Sequence, residues 1–196
     1  MKDFTVSNGT LVKYVGNGGK AVIPPSVTAI ANGAFHKCVA LTEVVIHEGV
    51  TSIGRWAFQK CISLTEITLP DSVTEIGEGA FESCDSLKKI TLSSAINTLP
   101  NSIFTDCGAL TELKLPQGIT KIGNNAMMGC HSLTSVTVPE GVTVIPPYAF
   151  AWCSSLTDVR LPESLTEIGK KAFIGCTALK DIRIPDGVTA VADDAF

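Results

Sequence analysis

Seven evenly spaced cysteines are the residues of this sequence most able to do chemistry. They recur at a constant interval of 23 residues, at Cys38, Cys61, Cys84, Cys107, Cys130, Cys153 and Cys176. Structural zinc takes its thiolate ligands in close pairs, and this interval provides none. Disulfide bonds would fit the distance between stacked repeats, about 5 Å, but the number is odd and the slot also carries Phe and Leu nearby. We therefore predict a row of reduced, buried thiols.

The other candidates for chemistry do not assemble into a site. His36, His47 and His131 occupy three different positions of the repeat and cannot meet at one metal ion. A Ser-His-Asp mechanism would lack both a nucleophile elbow and an oxyanion loop. The glycine-rich residues 16–19 are not followed by the helix and Lys-Ser/Thr pair of a phosphate loop. We predict that the protein is not an enzyme and has no metal or cofactor.

Composition excludes several classes of partner. The 196 residues are 45% hydrophobic and 17% charged, which is typical of a globular chain. The formal net charge of -4 gives no basic surface for nucleic acid or anionic lipid. No apolar run approaches the roughly 18 residues of a membrane span. Residues 1–16 lack the apolar core of a signal peptide, so an intracellular protein and one whose export signal lies outside this chain both stay open.

A 23-residue repeat must position these side chains. In the unit that begins at Leu64, Ile67 and Leu69 alternate with Thr68, as in a strand with one buried face. Pro70 ends this strand, because proline cannot donate to a ladder.

The second half of the unit closes the repeat. Residues 73–76 predict another short strand and Gly77 a turn, and Ala80, Phe81 and Cys84 fit one helical turn because positions i and i+3 share a face. The aromatic position recurs with the cysteines, at Phe35, Phe58, Phe81, Phe104, Phe150 and Phe173, with Met127 in the fifth slot.

Residues 1–22 do not fit the repeat. The apolar runs Phe4–Val6 and Leu11–Val15 flank Asn8 and Gly9, the strongest short-range signal of a β-hairpin. A solenoid leaves its first repeat with an open apolar face, so we interpret this hairpin as an N-terminal cap.

The motif Leu-x-x-Ile-x-Leu-Pro-x-x-Val-Thr-x-Ile-Gly-x-x-Ala-Phe-x-x-Cys resembles the BspA-like leucine-rich repeats, a 23-residue bacterial class, over residues 21–196. The resemblance implies an α/β-type leucine-rich repeat solenoid, with short parallel strands, single helical turns and an N-terminal β-hairpin cap. We expect the cap at residues 1–22 and an array of about seven and a half repeats at 23–196. Such proteins are typically at the bacterial surface or secreted, and some are implicated in adhesion.

The outward positions of the first strand are one candidate binding surface. They combine acidic residues with cations, among them Lys114, Arg160 and Arg183. Sheet faces of solenoids often bind partners, but the same pattern describes a solvated row of weak surface ion pairs.

Three exposed aromatic positions are the other candidate. Trp56 and Tyr148 share one slot of the repeat, and Trp152 lies four residues after Tyr148. The equivalent residues in other repeats are mostly small or polar, so the core does not require a ring there. Tryptophan and tyrosine are enriched in binding hot spots; the alternative is that each ring lies flat on a neighbouring repeat.

Two functional classes follow from these observations. The first is a non-enzymatic protein-interaction module of adhesion type, at a bacterial surface or secreted, that binds an unidentified protein or glycan. The second is a structural spacer or intracellular scaffold without a dedicated ligand site. The last unit stops at Phe196 before its cysteine, which predicts weak self-association through its apolar flank.

Overall fold

The computed structural model describes residues 3–196 and builds them from short strands and turns. No helix occurs within that range. The sixteen strands, in chain order, are β1 (Phe4–Ser7), β2 (Thr10–Tyr14), β3 (Gly19–Val22), β4 (Ala29–Ile30), β5 (Leu41–Val45), β6 (Ser52–Ile53), β7 (Glu66–Thr68), β8 (Glu75–Ile76), β9 (Lys89–Thr91), β10 (Thr98–Leu99), β11 (Lys121–Ile122), β12 (Ser135–Thr137), β13 (Val144–Ile145), β14 (Asp158–Arg160), β15 (Glu167–Ile168) and β16 (Ala190–Val191).

Equivalent strands of successive repeats stack in parallel on two sides of the solenoid. On the first, here called the sheet side, β3, β5, β7 and β9 pair in order, Glu112 bridges Lys89 to Ser135, and β12 pairs with β14. On the second side β4, β6 and β8 continue from β2, followed by the pair β10–β11 and the group β13–β15–β16. The register places Ile67 opposite Ile90, so side chains 23 residues apart form rows along the solenoid.

The third side, here called the turn side, consists of consecutive turns, and the single helical turn predicted for each repeat is wrong. The amides of Gly79, Phe81 and Ser83 donate to carbonyls of the following repeat at 2.8–3.1 Å. The amides of Glu82 and Cys84 donate to carbonyls three residues back. A helix requires each amide to bond four residues back within its own segment. Alternate amides are used here for stacking instead, and no helix can form.

Left-handed backbone at two positions of each turn segment also excludes a helix. The two positions are four residues apart, and their φ angles lie between 53° and 75°. Glycine adopts this conformation without strain, whereas other residues do so at a cost. The first position holds Gly33, Trp56, Gly79, Ser102, Asn125, Tyr148 and Lys171, and the second holds Lys37, Lys60, Ser83, Asp106, Gly129, Trp152 and Gly175.

A stack of aromatic rings runs through the core. The hairpin contributes the first fully stacked ring, since the centroid of Tyr14 lies 5.1 Å from that of Phe35. The stack continues at centroid distances of 4.8–6.0 Å to Phe104. Met127 interrupts it, and Phe150, Phe173 and Phe196 resume it at 5.3 and 5.4 Å. The 23-residue step therefore aligns the largest core side chains into one row.

The predicted hairpin is confirmed. Strands β1 and β2 pair antiparallel, and Asn8 and Gly9 between them have φ angles of 48° and 74°, as a tight two-residue turn requires. Strand β3 begins at Gly19, inside the segment predicted as the cap, and pairs with β5. The division at residue 22 stays a prediction.

Two of the predicted first strands differ from the expectation. The segment that contains Lys114 is reduced to the isolated bridge at Glu112, although Leu113 and Leu115 remain buried. Residues 181–183 form no strand. Within the described chain this last segment has a neighbouring repeat on one side only, so a ladder there would lack half of its hydrogen bonds. Arg183 therefore does not lie on a strand.

Candidate functional site

Three open depressions lie end to end along the sheet side. Their volumes are about 440, 470 and 570 Å³. The first and second share Lys89 and Thr91, and the second and third share Glu112, Lys114 and Leu115. They therefore form one continuous furrow, which we call the sheet-side trough.

Two rows of outward-facing side chains form the floor of the trough. Their register follows from the parallel pairing of the strands, with one residue per repeat in each row. One row is mostly charged and the other mostly hydroxyl-bearing or apolar: Glu43, Glu66, Lys89, Glu112 and Ser135, and Val45, Thr68, Thr91, Lys114 and Thr137.

Loops that follow the first strands border the trough and are tied to one another. The Oδ1 atom of Asp71 accepts hydrogen bonds from the amide and the hydroxyl of Ser94, both at 2.9 Å. These two bonds hold the pKa of the Asp71 carboxyl below its ordinary value. The Glu48 carboxylate accepts a bond from the Ser72 amide at 3.2 Å. Because each loop is bonded to the next, the rim is fixed relative to the floor.

The three predicted cations occupy different surroundings. Lys114 lines the trough. Arg160 lies 3.5 Å from Asp158 on its own strand, and Arg183 lies 3.1 Å from Glu163. All four side chains of these two ion pairs are more than half exposed, so each pair contributes little to stability.

The three predicted aromatic residues all have left-handed backbone. The φ angles are 53° at Trp56 and 58° at both Tyr148 and Trp152. For a bulky residue this conformation is a genuine outlier and costs about 1–2 kcal/mol. Trp56 and Trp152 remain 42% and 45% exposed. Such strain at a half-exposed ring directs attention to what the ring does.

Each tryptophan rests on a glycine of the following repeat. A Cβ atom on Gly79 would lie 2.5 Å from Cδ1 of Trp56, and one on Gly175 would lie 2.5 Å from Cδ1 of Trp152. The bare glycine backbone gives each indole a flat support. The interpretation that these rings lie against a neighbouring repeat therefore describes their inner edge, while the rest of each ring faces solvent.

Only two of the six predicted binding residues are brought together. The ring centroids of Tyr148 and Trp152 lie 6.4 Å apart at an interplanar angle of 29°. Trp56 lies four repeats away on the same side, and Lys114 and Arg160 lie on the sheet side.

The sequence reasoning did not select the threonines of the trough or the glycines beneath the indoles. A glycine 23 residues after each tryptophan is a signal that the sequence does contain. The exposed Thr68 and Thr91 carry no comparable signal, because threonine is common on any strand.

The cysteine row is a set of buried hydrogen-bond donors. Six thiols each donate to the main-chain carbonyl 26 residues earlier, at Sγ–O distances of 3.1–3.2 Å. The carbonyl of Phe58, for example, accepts both the amide of Cys61 and the thiol of Cys84. Burial raises the pKa of all six thiols, that of Cys176 to about 11. At neutral pH they are protonated donors rather than nucleophiles or metal ligands.

The described residues hold neither a metal cluster nor a membrane helix. Within residues 3–196, no three His, Cys, Asp or Glu side chains converge as metal ligands. The same stretch contains no helix long and apolar enough to cross a bilayer.

Comparisons with known proteins identify the repeat. The sequence profile of the BspA type Leucine rich repeat region matches in six copies, over residues 14–130 and 90–196. The chain is similar to the leucine-rich repeat protein TpLRR of T. pallidum, with 32% sequence identity and a TM-score of 0.85 over 92% of this chain and 89% of that one. It also resembles the pneumococcal vaccine antigen PcpA in fold, with 22% identity and a TM-score of 0.51 over 88% of this chain and 57% of that one. A comparison with curated proteins gives no match.

Proposed function

This chain belongs to the BspA-type leucine-rich repeat family, and we propose that it is a non-enzymatic interaction module that binds an extended segment of a partner protein along the sheet-side trough. The continuity of the trough is the observation that carries this proposal. Its three depressions share lining residues, so one chain can cross several repeats without leaving the furrow.

The floor of the trough suits a protein segment. Carboxylates at Glu43, Glu66 and Glu112 stand in a row with the ammonium of Lys89, beside a row that carries hydroxyl and methyl groups. A peptide offers both charge signs, amides and apolar side chains at a regular spacing. Mixed charge fixes the register of such a partner more than it adds affinity.

Adhesion at a bacterial surface is the more specific form of the proposal. Membership of the family supports it, because such proteins are typically displayed or secreted. Labelling of intact cells of the encoding organism with an antibody tests the location, and a signal only after lysis would refute it.

A matched pair of variants tests the trough. Thr91 and Thr98 are both exposed threonines on strands, but Thr91 lines the trough and Thr98 lies on the second side. Binding of the purified chain to immobilised fibronectin, laminin and collagen should saturate for at least one of them. Thr91→Arg should then weaken that binding about tenfold by filling the furrow, and Thr98→Arg should leave it unchanged.

Two outcomes contradict the proposal. Equal loss in both variants would indicate a general effect of added charge rather than a site. Absence of saturable binding across the panel, at low and moderate salt, would favour a structural spacer or scaffold.

A further inference from the structure

We propose that Tyr148 and Trp152 form a carbohydrate-binding platform on the turn side, which takes the flat face of a β-linked pyranose ring. This site is separate from the sheet-side trough and does not depend on the proposed function. It rests on the geometry of one repeat, in which two exposed rings lie next to each other on a fixed support.

The indole of Trp152 is held on one side and open on the other. A Cβ on Gly175 would lie 3.2 Å from both Cγ and Nε1 of the indole, in addition to its closer approach to Cδ1. The pyrrole part of the ring therefore rests on the glycine backbone. The residue is nevertheless 45% exposed. A large ring that is fixed from below and wet from above loses little freedom when a ligand covers it.

Tyr148 widens this surface. Its ring is inclined by 29° to the indole, with 6.4 Å between centroids, a separation at which aromatic pairs lie offset from each other. The ammonium of Lys171, in the equivalent position of the next repeat, lies 5.9 Å from the centroid of the Tyr148 ring. The two rings together present a broader flat area than either ring alone.

Packing alone does not explain why both rings are present. The two backbone positions are left-handed in every repeat, and elsewhere they are occupied by glycine, polar or charged residues apart from Trp56. Trp56 makes the same contact with its glycine, and Lys60 takes the place of a second ring. Only the sixth turn segment holds two strained aromatic residues, and such accumulated strain marks functional positions.

The chemistry of the platform selects a sugar. A β-linked pyranose with equatorial hydroxyls displays axial C–H groups on a flat, apolar face that packs on an aromatic ring, and its hydroxyls lie at the edge. The Lys171 ammonium can donate to such hydroxyls at the Tyr148 side. The imidazole of His131 is anchored by donation from Nδ1 to the carbonyl of Trp152 at 2.9 Å, which leaves Nε2 as an acceptor in the neutral ring.

Other flat or charged ligands fit less well. A quaternary ammonium would compete with the cation that already stands over Tyr148. A nucleotide would require cationic partners for its phosphate, and the chain has a net charge of -4.

Intrinsic fluorescence provides a direct test, because the chain contains two tryptophans. In a Trp56→Phe variant the emission reports on Trp152 alone. Titration with cellotetraose and with tetra-N-acetylchitotetraose should produce a saturable change for at least one of them. Sorbitol, which has hydroxyls but no flat ring, should produce none.

Calorimetry on single variants of the otherwise native chain separates binding from packing. Trp152→Ala should weaken binding of the responding sugar about 30-fold, or about 2 kcal/mol, and Tyr148→Ala should also weaken it. Trp56→Ala, which removes an equally exposed indole from an equivalent glycine, should leave the affinity unchanged.

The proposal is overturned if neither tetrasaccharide saturates, if sorbitol reproduces the signal, or if the two Trp→Ala variants behave alike. Sugar binding that Thr91→Arg abolishes would also overturn it, by placing the sugar in the trough. Conversely, sugar binding that survives Thr91→Arg supports the platform whatever the panel of matrix proteins shows.

Discussion

Raising the pH should unfold this protein through its thiols. Six cysteines are buried and donate to carbonyls, and the pKa of each is raised in the folded chain from an ordinary value of 9.0. A raised folded pKa means that the stabilising effect is complete below the unfolded pKa and is lost as the pH rises above it. Near pH 9 the unfolded chain begins to release protons that the folded chain retains.

The magnitude follows from linkage. Each such thiol contributes a slope that approaches about 1.4 kcal/mol per pH unit above pH 9. Together the six thiols should lower the free energy of unfolding by about 2.5 kcal/mol at pH 9 and about 8 kcal/mol at pH 10, relative to pH 7. Domains of ordinary stability have about 5–15 kcal/mol in total, so most or all of it should be gone by pH 10.

The assay is urea unfolding followed by circular dichroism between pH 7 and 10, with a reductant present throughout. Cys107→Ala should reduce the loss between pH 7 and 10 by about 1.4 kcal/mol, because it removes one of the linked protons. Cys38→Ala is the control within the row, since Cys38 is only half-buried and has the weaker shift of pKa. A free energy of unfolding that does not change between pH 8 and 10 would refute the reasoning, and would indicate thiols that are oxidised or exposed.

Two further substitutions test the packing of the repeat. Leu110→Ala should lower the free energy of unfolding by about 2–5 kcal/mol, because its side chain is fully buried, whereas Leu179→Ala at the equivalent, half-buried position should cost less; a loss at Leu110 below about half a kcal/mol would contradict the assigned register. Gly175→Ala should destabilise by about 1–2 kcal/mol, since its φ angle is 75° and the new methyl group would meet the indole above it. Gly118→Ala, where φ is not positive and the nearest atom is 3.7 Å away, should have a much smaller effect in the same urea titration.

The sequence predicted what depends on the period and could not predict what depends on contacts between repeats. Alternation around Ile67 and the Asn8–Gly9 pair indicated strands and a hairpin, and both are present. The spacing of Ala80 and Cys84 fits a helical turn and a pair of left-handed turns equally well. Hydrogen bonds to the next repeat decide between them, and no local pattern encodes those bonds.

The candidate sites divide in the same way. Trp56, Tyr148 and Trp152 stood out because their slot elsewhere is small or polar, and the structure adds that the slot is left-handed. The trough could not be predicted, because its depth depends on how the loops near Pro70 and Ser94 border the sheet. The predicted self-association through the last repeat stays a prediction, although Phe196 is 53% exposed.

The alternation of amides on the turn side has a consequence for hydrogen exchange. At Gly79, Phe81 and Ser83 the amide proton is protected by the following repeat, whereas at Glu82 and Cys84 it is protected by the turn itself. Neighbouring amides in one short segment therefore report on two different opening events. In a solenoid that frays from its ends, the first set should exchange in an order that tracks each repeat's distance from an end, and the second set should show when the turn itself melts.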